Sequence, residues 1–253
     1  LMAALDARPE RLPSLLGALT RSDDTVGWCP EQDADLRAEA LLRLLIDGNG
    51  AGETARVDAW LAEAAPGLRG LVALIEDASA SLGWLWRRDG CSGGTVSIAL
   101  AALQGAMRRR ARFSALPMAH LGRVLVATPP RETHVIGAML KAEILRAAGW
   151  EVDKVYAVAG DDIGARVAET AYDAVVIVGS RVFSREDRRA LTARVVSDVR
   201  RQSRVPDSFV IVGGADFALR PDAGREVGAD AVCPSAAVID RVIERRGSLT
   251  RVA

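Results

Sequence analysis

The chain has 253 residues and a mass of 26.9 kDa, with 33 basic and 33 acidic side chains and a formal net charge of zero. Apolar residues make up 49% and charged ones 26%, the usage of a globular protein with room for one large domain or two modest ones. Zero net charge lacks the basic excess of a dedicated nucleic-acid or membrane-surface binder, and no run nears the roughly 18 apolar residues of a membrane span.

The first residues, LMAALDARPERLPSLL, mix acids and bases where an export signal needs an unbroken apolar stretch, so the cytoplasm is the expected compartment. Over the first 120 residues, leucine and alanine recur at three- and four-residue spacing (Leu41, Leu42, Leu44, Leu45; Trp60, Leu61, Ala64; Leu68, Leu71, Leu74, Ile75). That period predicts several helices, with Gly48, Gly50 and Gly52 breaking two of them. The GNGAG stretch follows a helix rather than a strand, so it is not a dinucleotide loop. A further helix is predicted over 97–112, its cations gathered in the last turns where the helix dipole favours them. A boundary is expected at 113–122, dividing the chain into a helical bundle over 1–120 and a second domain over 121–253.

From Arg123 the pattern changes to short β-branched runs alternating with amphipathic stretches. Strands are predicted at 124–127, 152–158, 174–179, 209–214 and 231–233. Helices are predicted at 134–149, 163–171, 184–203, just before Gly228, and 236–246. Continuous apolar strands separated by helices mean a parallel sheet covered on both faces. Five such units make a flavodoxin-like doubly wound α/β fold with a five-stranded parallel sheet. Charge is uneven: residues 1–63 hold 12 acids and 6 bases, net −6, whereas 181–204 hold 8 bases and 3 acids, net +5. The arginine-rich helix reads as a solvated face, with a protein-docking surface as the alternative.

Cys29, Cys91 and Cys233 are odd in number and widely spaced, which excludes a disulfide framework and a cysteine zinc site. With only His120 and His134 present, a multi-histidine metal site is excluded too. The informative stretch is TPPRETHVIG (128–137), just after the first buried strand, where this architecture places ligands. Glu132 stands two residues before His134, so its carboxylate can take the proton of one ring nitrogen and leave the other facing outward, as a metal-ligating histidine needs. Strand three ends in Gly179-Ser180 and strand four in Gly213-Gly214. Together with Gly137 these describe a slot on the rim, open to a long ligand tail. A phosphoacceptor receiver domain would need an aspartate and a lysine where Gly179-Ser180 and Cys233-Pro234 stand, and an FMN loop more hydroxyls than Thr128 and Thr133.

On these residues the region 123–246 resembles the cobalamin-binding domain family, whose fingerprint is Asp-x-His-x-x-Gly after strand one, Ser-x-Leu after strand three and Gly-Gly after strand four. Here the three loops read Glu132-Thr133-His134-Val135-Ile136-Gly137, Ser180-Arg181-Val182 and Gly213-Gly214. The resemblance implies that His134 replaces the dimethylbenzimidazole of cobalamin as lower cobalt ligand (base-off, His-on) and that Glu132 orients it. Gly137, Ser180, Gly213 and Gly214 would then admit the released nucleotide tail. Glu for Asp and Val for Leu depart from the pattern. GWLWRRDG (83–90) resembles the tryptophan signature of the family's helical cap, which would set Trp86, or alternatively Trp84, over the corrin. The Glu-His pair that follows in many members is absent; Val96 and Ser97 stand there, and His120 is the only other imidazole.

This combination is similar to the AerR/PpaA-type photosynthesis regulators. It implies a cobalamin-binding, light-responsive antirepressor (a transcription regulator and photoreceptor) that acts through a partner repressor protein. No DNA-binding module is visible, and no nucleophile–base pair marks the chain as an enzyme. A haem-binding sensor on the same scaffold and a corrinoid methyl carrier are the alternatives.

Overall fold

The computed structural model describes residues 32–47, 53–87, 89–112, 120–158, 162–180, 185–214, 217 and 222–250. The chain divides into two compact units, Leu1–Phe113 and Ser114–Ala253.

The first unit is helical where described: α1 (Gln32–Asp47), α2 (Glu53–Ala64), α3 (Leu68–Arg87) and α4 (Gly93–Arg112). The stripe Leu71, Val72, Leu74, Ile75, Ala78 and Leu82 of α3 is buried where α3 packs on α1 and α4, and Leu41 and Leu45 of α1, Val57 and Leu61 of α2, and Leu103 and Met107 of α4 are buried with it. The glycines expected to break helices at 48–52 lie outside the described residues, between the end of α1 and the start of α2. Helix α4 starts four residues earlier than the apolar period suggests. Ser92 caps it, its hydroxyl accepting the Thr95 N–H at 3.0 Å, and this signal is masked by the poor helix formers Gly93 and Gly94. Helix α3 closes in a Schellman turn: Gly90 N–H donates to the Leu85 carbonyl at 2.8 Å and Asp89 N–H to that of Trp86 at 3.1 Å, with Asp89 at φ 56°. Arg109 of α4 forks onto Asp58 of α2 at 2.6 and 2.8 Å, a half-exposed pair that adds at most about 1 kcal/mol.

The second unit alternates β1 (Arg123–Thr128), α5 (Ile136–Ala148), β2 (Glu151–Tyr156), α6 (Asp162–Glu169), β3 (Ala174–Val178), α7 (Arg185–Gln202), β4 (Phe209–Gly213), α8 (Asp222–Glu226) and β5 (Ala231–Cys233). A 3-10 turn (Ala236–Val238) and α9 (Ile239–Thr250) complete it. The five strands are parallel in the order β2-β1-β3-β4-β5. This is the expected flavodoxin-like arrangement. Leu125, Ala127, Val175, Ile177, Val210 and Val212 face a core closed by Ile163 and Val167 of α6 and Val195, Val196 and Val199 of α7. Strand alternation turns Val126, Thr128, Val178 and Gly213 to the opposite face, which α5 and α9 cover. Gly149, at φ 104°, ends α5 by passing its N–H to the Arg146 carbonyl, as its place in the sequence implies.

The amino end of the sheet is closed by side chains. Asp173 Oδ2 accepts the Arg123 N–H at 2.8 Å, Asp230 Oδ2 accepts the Val210 N–H at 2.7 Å, and the Ser208 hydroxyl donates to the Tyr172 carbonyl at 2.7 Å. Along α7, Arg189 pairs with Glu226, Arg200 with Asp230 and Arg201 with Asp198. Cys91 and Cys233 are buried and not in disulfides, and the Cys233 thiol donates to the Ser235 carbonyl at 3.0 Å. Among the described residues, no helix is long and apolar enough to cross a membrane.

Candidate functional site

The strand order reverses between β1 and β3, so the loops leaving their carboxyl ends part and open a crevice, the position where doubly wound sheets bind ligands. The loop after β1 begins with a tight turn. Glu132 N–H donates to the Pro129 carbonyl at 3.2 Å, Pro130 takes the second position and Arg131 the third at φ 67°. That third position normally takes glycine, so a side chain there is strained by about 1–2 kcal/mol.

The turn sends Glu132 inward. Its side chain is 2% exposed, Oε1 accepting the His134 N–H at 2.8 Å and Oε2 the Ser180 N–H at 2.7 Å. One buried carboxylate thus staples the loop after β1 to the loop after β3, and hydrogen bonds to a charged group contribute about 1.5–3 kcal/mol each. His134 stands two residues before α5 with its side chain 36% exposed. Its Nδ1 lies 3.2 Å from the Thr133 hydroxyl and 3.5 Å from Glu132 Oε1. The sequence led us to expect Glu132 to orient the ring through a ring nitrogen. Glu132 Oε1 does stand beside the ring at 3.5 Å from Nδ1, and the same carboxylate also holds the backbone on either side of the crevice, with Thr133 the nearer partner of Nδ1. The reason is demand: the amides of His134 and Ser180 turn into the protein, and a carboxylate two residues back satisfies the first at no cost in geometry. With Nδ1 turned to Thr133, the other ring nitrogen is the one placed to bind a metal. Among the described residues no three His, Cys, Asp or Glu side chains gather as a metal site.

A Cβ on Gly137 would sit 3.4 Å from Val178 Cγ1, and one on Gly214, at φ 112°, would overlap the Gly179 carbonyl oxygen. A Cβ on Gly213 would lie 2.9 Å from Lys141 Cε and 3.0 Å from the Cys233 carbonyl oxygen. Only Gly179 faces open space. These glycines let α5, β3 and β4 approach closely, and the aliphatic end of Lys141 lies beside Gly213. Lys141 is 1% exposed. Sequence reasoning passed over it, although a lysine inside Met139-Leu140-Lys141-Ala142, in a chain with two lysines, was a signal to notice. Nearby on the same face of the sheet the Thr128 hydroxyl is fully buried with no hydrogen-bond partner among the described residues. Such an orphan costs about 1–3 kcal/mol and is the kind of group a ligand can satisfy. The residues thus fit a metal-ligating imidazole at the rim.

Trp86 belongs to the helical unit, at the end of α3, 45% exposed and with its indole nitrogen 3.7 Å from where a side chain on Gly93 would begin. The side chain of Trp84 lies outside the described residues. His120 is exposed, just before β1.

Residues 114–250 match the model of a family described as AppA, a sensor containing heme instead of cobalamin. The chain belongs to this family. The chain is also similar to an uncharacterized 20.5 kDa protein in the bchF-crtJ intergenic region of Rhodobacter capsulatus, 31% identical over 162 residues, which are 62% of this chain and 81% of that protein. Among solved structures, the monomethylamine corrinoid protein of Methanosarcina barkeri superposes with a TM-score of 0.60 at 17% identity, over 85% of this chain and 98% of that one. At that identity the likeness is one of fold: the AppA-type sensor domain here has the architecture of a cobalamin-binding domain.

Proposed function

We propose that this AppA-type chain is a tetrapyrrole-dependent regulator of photosynthesis genes, with His134 as axial ligand to the metal. The observation that carries this reading is the half-exposed imidazole of His134 at the strand-order reversal, its Nδ1 against Thr133 and its backbone clamped by Glu132. A bound corrinoid or haem would supply a coloured metal centre whose axial ligands exchange. The protein's part is to hold and transmit. Because Glu132 bonds the backbone amides of both His134 and Ser180, a displacement of the His134 backbone would be felt in the loop after β3. Two arrangements of that loop, bound unequally by two ligand states, are what a switch requires. The loop motifs favour cobalamin and a light-responsive antirepressor in the cytoplasm that acts on a partner repressor rather than on DNA, and not an enzyme.

Haem is the second reading. The family description favours it. Reconstitution of the full chain with hydroxocobalamin and with haemin, followed by absorption spectra in the dark and after illumination, separates the two. His134→Ala should abolish the imidazole-ligated spectrum of whichever group binds. An unchanged spectrum in that variant removes the axial-ligand assignment.

A further inference from the structure

We propose that the helical unit carries a binding site for a small apolar carboxylate, in a cavity between α2, α3 and α4. The cavity has a volume of about 170 Å³ and is lined by Asp58, Leu61, Leu71, Ala106, Arg109 and Arg110. Its floor is apolar: Leu61, Leu71 and Ala106 are 4%, 2% and 3% exposed. Cavities of roughly 150 Å³ with such linings stay free of water and accept benzene-sized groups. The rim is charged, and its bonding is unequal. Arg109 Nε and Nη2 donate to Asp58 Oδ2 and Oδ1 at 2.6 and 2.8 Å, so both carboxylate oxygens are engaged. Gly105 gives that guanidinium its place, since a Cβ there would lie only 3.0 Å from Arg109 Nη1. Arg109 Nη1 and the half-buried Arg110 have no hydrogen-bond partner among the described residues.

Donors are therefore in surplus at the rim, where two guanidinium groups meet one carboxylate. A cation finds that carboxylate already held by Arg109, and a neutral apolar molecule leaves Arg110 unanswered. A carboxylate on an apolar body meets both demands. Its oxygens accept charge-assisted bonds from Arg110 and Arg109 Nη1, and its body covers Leu61, Leu71 and Ala106. The site is separate from the tryptophan of the same unit: Trp86 lies fifteen residues beyond Leu71 on α3, about 22 Å along the helix. It is equally independent of His134, which belongs to the other unit, so the proposal stands whether or not a tetrapyrrole binds there.

The test is a titration of the full chain with benzoate and hexanoate, with their neutral amides benzamide and hexanamide, and with inorganic phosphate, followed by methyl NMR. At least one of the carboxylates should shift the methyl signals of Leu61, Leu71 and Ala106 saturably. Its amide and phosphate should bind about tenfold more weakly or less well still. Arg110→Gln should weaken that carboxylate about tenfold and leave the amide within about twofold. Ala106→Leu, which fills the floor, should abolish binding of both. Arg110→Gln changes only the rim, so it carries the test alone if Ala106→Leu does not fold. Neither carboxylate shifting these methyls overturns the proposal, as does an amide that binds as tightly as its acid. Phosphate binding as tightly as the carboxylates also overturns it, because the apolar floor would then contribute nothing. So does an Arg110→Gln protein with undiminished carboxylate affinity.

Discussion

The two ends of the one parallel sheet are built on opposite plans. At the amino end, aspartates and a serine take up the first strand amides and carbonyls, and the Tyr172 hydroxyl donates to Asp153 Oδ2 at 2.6 Å. At the carboxyl end a single buried carboxylate, Glu132, does comparable work for two loops, while the Thr128 hydroxyl goes unpaired and an imidazole stands half in solvent. The contrast teaches where the fold keeps its stability and where it leaves bonding demands open. The strand starts are bonded by the chain's own side chains, whereas among the described residues the hydroxyl at the end of β1 has no partner.

The contrast breaks most visibly at the glycines. Gly214→Ala should destabilise the second unit by about 3 kcal/mol or more, since its Cβ meets the Gly179 carbonyl from a left-handed backbone, whereas Gly179→Ala should stay within about 0.5 kcal/mol. Urea denaturation of the two variants measures this, and equal losses would show that the rim is not closed at Gly214. Next in size is Glu132→Gln, which turns an amide nitrogen toward one of two backbone N–H groups and should cost about 2 kcal/mol, against less than about 0.5 for Thr133→Ala. If the two were equal, Glu132 would not be the staple between loops.

Smaller again is the amino-end pair. Burial and the bond to Asp153 push the Tyr172 hydroxyl up to about 12 from its ordinary 10. A raised folded-state value favours the protonated form, so this contribution is present in full below pH 10 and is lost as the pH climbs from 10 toward 12. Tyr172→Phe should cost about 1 kcal/mol at neutral pH and abolish the late step in an absorbance-monitored alkaline titration. A late step that survives in Tyr172→Phe would assign it elsewhere.

Much of this layout was legible before any coordinates. The runs at 124–127, 174–178 and 209–213 are apolar throughout because parallel strands are covered on both faces, and that continuity gives them away. His134 was legible because histidine is scarce here and stands in the loop that the topology reserves for ligands. The capping of α4 by Ser92 was hidden behind two glycines. Glu132 was found, but not its task, since a carboxylate two residues before a histidine is equally placed for the ring and for the backbone, and only burial of the amides decides. Lys141 was missed because periodicity registers it as one polar residue on an apolar helix, and nothing in a pattern of residue types says that a long stem has been folded inward against a glycine.

The arginine-rich helix α7 carries one last consequence. With Arg189, Arg200 and Arg201 each matched to a carboxylate of the same unit, their field is largely cancelled close to the surface. Any protein that docks on this face would have to recognise shape and short-range bonds, and raising the ionic strength through the physiological range should change its grip very little.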